Sequence, residues 1–174
     1  GGTFIDVGAN VGYYSVLALE IVGPSGQVHA FEIDPRPLRC LQRTVTTAGL
    51  RNLTVHELAV GDRDGKARLS ARPDSGHSSV SADGRGEAVP MTTLDSWRAK
   101  SGVRNIQAVK MDIEGGELEF LKDMDFMRFI KERQVVLFME THSEEAMRLA
   151  QGHRMINKPG VNNHWVWQRD RIFK

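Results

Sequence analysis

The sequence has a single cysteine, Cys40, no apolar run of membrane-spanning length and almost no net charge. One cysteine cannot form an internal disulfide, which excludes small secreted scaffolds held together by disulfides. The longest apolar runs, such as residues 135–139, fall far short of the roughly 20 residues that a transmembrane helix needs. The formal net charge of +1 gives no broad basic face for a nucleic-acid backbone. We therefore expect a soluble, cytoplasmic protein with no membrane or nucleic-acid partner.

The length of 174 residues, 40% of them hydrophobic, is that of one ordinary globular domain. We find no internal repeat in the sequence and predict a single domain over residues 1–174. The sequence opens Gly1-Gly2-Thr3 without an initiating methionine, and no basic-then-apolar targeting segment precedes the first motif. We expect it to be a trimmed or partial chain.

Short β-rich runs alternate with helix-length patterns from Thr3 onward. This order is typical of a mostly parallel sheet covered by helices on both faces. The sequence therefore predicts an α/β fold, a Rossmann-like doubly wound domain. Its strands are predicted over residues 3–7, 27–33, 53–60, 66–71, 106–112, 134–140 and 164–168.

Four helices have signals in the sequence, one of them an apolar stripe of Leu118, Leu121 and Met124 behind the strand that ends at Asp112. Residues 15–22 are almost wholly apolar, which predicts a deeply buried helix. Asp34 followed by Pro35 is a good helix start, an N-cap acceptor and then a proline at the first helical position. Ser143, followed by two glutamates, predicts the capped start of a helix that runs to about Gly152.

The stretch from residue 62 to 86 is dense in glycine, serine, aspartate and arginine. It predicts a loop or a hairpin, with a short strand over residues 66–71. Residues 73–86 have the length and composition of a mobile segment of the kind that is usually functional when it is not disordered.

The segment from Phe4 to Ser15 carries the main functional signal, because a strand opens through glycines directly into a helix. Gly8 and Gly12 remove side chains where a bound molecule would clash, and the free N–H groups of the helix then face the cavity. About twenty residues later, Glu32 ends the second strand, where an acid can accept both hydroxyls of a ribose. The implied ligand is an adenosine-containing cofactor at the carboxyl ends of parallel strands.

The details of the turn narrow the cofactor. A dinucleotide site requires three glycines spaced two and three residues apart, so that a pyrophosphate lies against bare backbone. The corresponding positions here are Gly8, Asn10 and Tyr13, and two of them carry side chains. This disfavours a nicotinamide-dependent oxidoreductase and suits a cofactor with a short zwitterionic arm, such as S-adenosylmethionine.

Five segments, taken in order, resemble the FkbM family of methyltransferases, which belongs to the class I S-adenosylmethionine-dependent enzymes. They are residues 4–15, 29–35, 57–62, 93–95 and 109–117. The resemblance covers most of the chain up to about His142. One departure is Ile33, where family members often have proline.

The resemblance implies the cofactor-binding residues. Those around the methionine part are Asp6, Gly8, Asn10, Gly12 and Ser15. Glu32 is then expected to hold the ribose, with Asp34 nearby, and Ala59 with its neighbours to border the adenine. The polar stretch around His77 resembles a family segment near the acceptor site, although a solvated loop is the simpler interpretation.

Acidic residues follow the strand that ends at Asp112. This side chain is expected to hold either the methionine end of the cofactor or the acceptor, whereas Glu114 and Glu117 are expected only to favour a helix N-terminus electrostatically. DNA amino-methyltransferases resemble one another in having Asp or Asn, two prolines and an aromatic residue at this strand end. Residues 112–115 do not match that pattern, which disfavours methylation of DNA bases.

Glu140 and His142 alternate at the end of the last strong strand and therefore point to the same face. We predict that His142 is the general base for a hydroxyl acceptor, with Glu140 orienting it. Asp112, Glu140 and His142 could instead hold a divalent ion, as some O-methyltransferases of this class do. Our prediction includes no metal.

The predicted function is transfer of a methyl group from S-adenosylmethionine to a hydroxyl of a small natural product or sugar, an acceptor implied by the family resemblance alone. One alternative is a non-catalytic or truncated module that binds the cofactor. A less favoured one is the nicotinamide-dependent oxidoreductase.

Overall fold

A computed structural model of the chain describes residues 1–71, 78–80, 86–157 and 163–168. The strands are β1 (Gly2–Val7), β2 (Gly26–Phe31), β3 (Leu53–His56), β4 (Ala59–Val60), β5 (Gly65–Ala71), β6 (Ser78–Val80), β7 (Glu87–Thr92), β8 (Ile106–Met111), β9 (Val136–Glu140), β10 (Ile156–Asn157) and β11 (His164–Trp167). The helices are α1 (Tyr13–Val22), α2 (Pro35–Ala48), α3 (Leu94–Ser101), α4 (Glu117–Lys122), α5 (Met124–Glu132) and α6 (Glu144–Gly152).

The main sheet has the order β10-β11-β9-β8-β1-β2-β3. Its strands from β9 to β3 pair in parallel, and β11 pairs antiparallel with β9. This confirms the predicted α/β fold with a mostly parallel sheet. Because β1 lies between β8 and β2, the carboxyl ends of these three strands meet at one edge of the sheet, where α/β proteins bind ligands.

Helices cover the sheet on both faces. One core cluster joins Ile5, Val109 and Leu137 to buried side chains of α3, α4, α5 and α6. A second cluster joins Val28 and Ala30, which point to the opposite face, to buried residues of α1 and α2. None of the helices within the described ranges is long and apolar enough to cross a membrane.

Helix α1 corrects one prediction. It was expected to be deeply buried, but only Ser15, Ala18 and Val22 are buried, and Ile21 is 78% exposed. The helix contacts the sheet through a narrow stripe of mostly small residues. An almost wholly apolar sequence has no polar face that would mark which side is packed.

Two predicted helix starts are confirmed. The Asp34 side chain accepts a hydrogen bond from the Arg36 N–H at the start of α2, and the Ser143 side chain accepts one from the Ala146 N–H at the start of α6. Sequence analysis did not identify α3, and it predicted one helix through Leu118, Leu121 and Met124 where the structure has two, α4 and α5, divided at Asp123. Helices α3 and α5 are capped in the same way, by Thr93 and Asp123.

A second, smaller sheet has the order β4-β7-β5-β6. The antiparallel pairing of β5 with β6 confirms a hairpin in the stretch predicted as loop or hairpin. Strand β7 was not predicted. His77 and the rest of residues 72–77 and 81–85, on which the predicted mobile segment falls, lie outside the described residues.

His29 of β2 packs against His56 of the neighbouring strand β3. The Nδ1 atom of His29 lies 3.1 Å from Nε2 of His56, and both rings contact Trp97. Burial, and then the charge of His29, lowers the pKa of His56 to about 4, and burial also lowers the pKa of His29. Both rings therefore resist protonation in the folded protein.

This pair predicts a loss of stability in mild acid. The unfolded chain binds protons at His56 below its ordinary pKa of 6.5, whereas the folded chain does so only near pH 4. The stabilisation that the folded protein gains from keeping His56 neutral is thus complete above pH 6.5 and is lost as the pH falls from 6.5 to 4. Urea unfolding of the parent and of His56→Gln should diverge in pH dependence across this window. If the free energy of unfolding changed with pH in the same way in both proteins, His56 would not be the cause of the loss.

Candidate active site

A cleft of about 340 Å³ opens at the carboxyl ends of β8, β1 and β2, a size typical of small-molecule pockets. Residues from four parts of the chain line it: Gly8 and Asn10 after β1, Glu32 after β2, Ala59 in β4, and Lys110 and Asp112 at the end of β8. Sequence analysis predicted all of these residues except Lys110 as site residues.

The glycine turn after β1 has a backbone that few side chains tolerate. Gly8, Asn10 and Gly12 have φ values of +73°, +52° and +90°, all in the left-handed region. A Cβ atom on Gly8 would overlap the backbone carbonyl oxygen of Asp112. The turn is therefore fixed against the end of β8, and its backbone forms one wall of the cleft.

Glu32 is bound to the same turn. Its Oε2 accepts a hydrogen bond from the Asn10 N–H at 2.7 Å, and its Oε1 accepts from the N–H groups of Ile33 and Asp34 at 2.8 and 2.7 Å. A carboxylate has about four acceptor positions, so these three bonds leave about one for a bound sugar, whereas sequence analysis expected acceptance from both ribose hydroxyls.

Three of the predicted cofactor-binding residues lie beneath the cleft instead of lining it. Asp6 and Ser15 are fully buried, and the Ser15 hydroxyl donates a hydrogen bond of 2.6 Å to Oδ2 of Asp6. Gly12 starts α1 against Leu41. Asp34 does line the cleft, but its carboxylate caps α2 and pairs with Arg36.

Lys110 is the site residue that sequence reasoning missed. Its ammonium donates a hydrogen bond of 2.8 Å to the Gly8 carbonyl and lies 3.4 Å from Oδ1 of Asp6. The same nitrogen lies 5.5 Å from the centre of the Tyr14 ring, within cation–π range. A lysine in an otherwise mostly apolar strand was the available signal, but its partners depend on the pairing of β1 with β8.

His142 lies in a group of carboxylates beside the cleft. Its Nδ1 is 3.1 Å from Oε1 of Glu117, which is 1% exposed and also accepts hydrogen bonds from the N–H groups of Ile113 and Gly115. Glu117 thus holds the imidazole and the turn after β8 together. The sequence predicted only an electrostatic effect of Glu117 on a helix N-terminus, so this connecting role is an addition from the structure.

The other ring nitrogen of His142 faces three more carboxylates. Nε2 lies 3.7 Å from Glu114, 3.8 Å from Glu140 and 3.9 Å from Asp112. The hydrogen bond to Glu117, followed by the charges of Glu117, Glu114 and Asp112, raises the pKa of His142 to about 9 against the opposing effect of burial. The imidazole is therefore mostly protonated at neutral pH.

Glu140 has other partners than the predicted one. It accepts a hydrogen bond of 2.7 Å from the Asn163 side chain and lies 3.2 Å from Nε2 of His164. The structure therefore places Glu117, not Glu140, where a carboxylate can orient His142. The candidate metal ligands also differ from the predicted set: the ligand atoms within 4.8 Å of one another belong to Asp112, Glu117 and His142, with Glu117 in the place of Glu140.

Comparison with known proteins decides the family. The model of the methyltransferase FkbM domain matches residues 6–158, which is most of the chain and includes every residue that lines the cleft. The chain belongs to the FkbM methyltransferase domain family. The resemblance found in the sequence is thereby confirmed.

Solved structures agree with the fold of the FkbM domain. The methyltransferase FkbM of Methylobacillus flagellatus KT superposes with a TM-score of 0.63 at 17% identity, over 95% of this chain and 42% of that one. Aeropyrum pernix fibrillarin, solved with natively bound S-adenosyl-L-methionine, gives a TM-score of 0.51 at 13% identity, over 95% of this chain and 65% of that one.

A curated relative matches a shorter stretch. The probable cobalt-precorrin-6B C(15)-methyltransferase (decarboxylating) of Sulfolobus acidocaldarius is 40% identical over 57 residues, which is 33% of this chain and 30% of that protein. The chain thus spans less than half the length of this relative and of the Methylobacillus protein.

The described residues fit S-adenosylmethionine, the ligand with which the Aeropyrum fibrillarin was solved. The bare turn at Gly8 lets a ligand approach the backbone, Glu32 offers an acceptor to the sugar, and the buried Ala59 gives an apolar wall suited to the adenine. The nicotinamide-dependent alternative raised by the sequence is set aside on the family match.

Proposed function

We propose that the FkbM domain transfers a methyl group from S-adenosylmethionine to a hydroxyl of a small molecule, such as a natural product or a sugar. The bound cofactor supplies an electrophilic methyl group on a sulfonium. One observation carries the proposal: a buried carboxylate, Glu117, orients an imidazole whose Nε2 lies within 4 Å of Asp112 and Glu114, two residues of the cofactor cleft.

The geometry supports a role for His142 in moving a proton. A hydroxyl becomes a better nucleophile as it loses its proton, and Nε2 of the neutral ring accepts that proton while Nδ1 donates to Glu117. The proton that the acceptor hydroxyl loses would thus pass to this ring, while the cofactor would supply the methyl group. Most of the rate enhancement is expected from alignment of the acceptor with the methyl group in a site that excludes water.

The acceptor can be tested directly. Incubation of the protein with methyl-labelled S-adenosylmethionine and a panel of hydroxyl compounds should give a product whose label NMR places on oxygen. His142→Gln should lower turnover and leave the cofactor dissociation constant nearly unchanged. Normal cofactor affinity with no product from any acceptor would instead support the non-catalytic binding module.

Methylation of carbon is the second candidate, favoured by the 57-residue match to a C(15)-methyltransferase. The same labelling experiment separates the two functions, because a methyl group on carbon has a different chemical shift and resists cleavage conditions that remove an O-methyl group. In that case His142→Gln is expected to leave turnover nearly unchanged.

A general base with a raised pKa predicts an alkaline pH profile. For the parent, kcat/KM should rise with pH around a midpoint near 9, because only the neutral ring of His142 accepts a proton. Glu117→Gln removes the largest cause of the raised pKa, so the midpoint should move towards the ordinary value of 6.5. Glu119→Gln, an exposed glutamate of the same helix, is the matched control. A midpoint that stays in place in Glu117→Gln would contradict the assigned base.

A further inference from the structure

Lys110 is the one cation among the described residues that line the cofactor cleft. The charged residues beside it in the lining are all acidic: Glu32, Asp34, Asp112 and Glu114. The ammonium is held in place by the Gly8 carbonyl, the Asp6 carboxylate and the Tyr14 ring, and the Lys110 side chain is only 12% exposed. Because its side chain is already ordered, this cation can bind an anionic group of a ligand with little further loss of side-chain entropy.

The position of Lys110 in the sheet places it away from the sugar end of the cleft. Glu32 follows β2 and Lys110 lies on β8, with β1 between them. Two strand spacings separate these ends by roughly 10 Å. A nucleoside whose ribose lies at Glu32 therefore extends any side arm across the glycine turn towards Lys110.

Asp112 complements Lys110. Its Oδ2 atom lies 3.7 Å from the Lys110 ammonium, close enough for attraction but too far for a direct hydrogen bond. Within the described part of the chain, the Lys110 ammonium donates one hydrogen bond, to Gly8, although it has three N–H donors. The pair thus presents one positive and one negative group side by side, with donors and acceptors available to a ligand.

We propose that Lys110 and Asp112 bind the amino-acid end of S-adenosylmethionine. Lys110 donates to the α-carboxylate, and Asp112 accepts from the α-ammonium. Asp6 and Ser15 then act through Lys110: Ser15 holds the buried Asp6 carboxylate, and the other oxygen of Asp6 holds the ammonium. The proposal concerns the cofactor alone, so it stands or fails independently of the acceptor.

Calorimetry with two ligands tests this site. S-adenosylhomocysteine carries the amino-acid end, and 5′-methylthioadenosine lacks it. Lys110→Met should raise the dissociation constant of S-adenosylhomocysteine about ten- to a hundred-fold, as expected for the loss of one or two charge-assisted hydrogen bonds. The dissociation constant of 5′-methylthioadenosine should stay within about two-fold of that of the parent. Lys122→Met, at an exposed lysine of α4, is the matched control and should change neither affinity.

Two results would overturn the proposal. Equal weakening of both ligands would mean that Lys110 only supports the glycine turn, and unchanged binding of both would mean that it does not act in the cleft. Should Lys110→Met fail to fold, the parent protein is tested with S-adenosylhomocysteine that lacks its carboxyl group. This analogue is expected to bind about ten-fold more weakly or worse. Equal affinity for the two compounds would refute the role of Lys110.

Discussion

Gly8→Ala is expected to lower the free energy of unfolding by about 3 kcal/mol or more and to abolish measurable cofactor binding. The φ of +73° at Gly8 disfavours any L-residue, and the new methyl group would overlap the carbonyl oxygen of Asp112. That oxygen belongs to backbone that is itself fixed, because the Asp112 N–H donates to the Val7 carbonyl at 3.1 Å. The strain can be relieved only by separating the ends of β1 and β8, which are two walls of the cleft.

Gly49→Ala is the matched control for this variant. Gly49 has a similar φ, +62°, but an added Cβ atom would have no atom within 4 Å. Gly49→Ala should therefore lower the free energy of unfolding only through the strain of a left-handed backbone, by about 1 kcal/mol, and leave cofactor affinity unchanged. Urea unfolding and calorimetry with S-adenosylhomocysteine measure both effects. Similar losses in the two variants would show that contact between the glycine turn and β8 has no special role.

Glu32→Ala is expected to weaken cofactor binding by about a hundred-fold or more. The substitution removes the acceptor assigned to the ribose, and hydrogen bonds to charged groups contribute about 1.5–3 kcal/mol each. It also releases the Asn10 N–H, so the turn loses its connection to the end of β2. Both losses act on the nucleoside end of the cofactor.

The choice of ligands gives this prediction a second readout. Glu32→Ala should weaken S-adenosylhomocysteine and 5′-methylthioadenosine equally, since both contain the ribose, in contrast to the selective effect expected for Lys110→Met. Glu20→Ala, an exposed glutamate of α1, is the control and should bind both ligands like the parent. An unchanged dissociation constant in Glu32→Ala would remove Glu32 from the cofactor site.

The sequence predicted those parts of the fold whose signals are local. The turn from β1 into α1, the cap at Asp34 and the cap at Ser143 each depend on a few neighbouring residues, and the structure has all three. The order of strands and helices then predicted a parallel sheet, because parallel strands need crossover connections. Gly8, Glu32 and Asp112 followed, since that sheet brings its strand ends to one edge, whereas Asn10 and Ala59 were implied by the family resemblance.

The remaining site features depend on contacts between distant residues. Lys110 and the Gly8 carbonyl are 102 positions apart, and only the register that sets Lys110 opposite Asp6 shows that they meet. Glu117 and His142 are 25 positions apart, and the fold turns Glu117 inward where a helix start would ordinarily place an acid in solvent. The burial of α1 was mispredicted for a related reason, because composition does not reveal which neighbours a helix has.

The proton on His142 connects stability to the proposed chemistry. Since the folded protein raises the pKa of this ring from 6.5 to about 9, the proton stabilises the fold fully below pH 6.5, and that contribution is lost as the pH rises through 9. The same rise in pH frees Nε2 to act as a base. Alkaline solution therefore prepares the ring for methyl transfer while it loosens the attachment between the end of β9 and the turn after β8, so turnover and thermal tolerance should have opposite trends there.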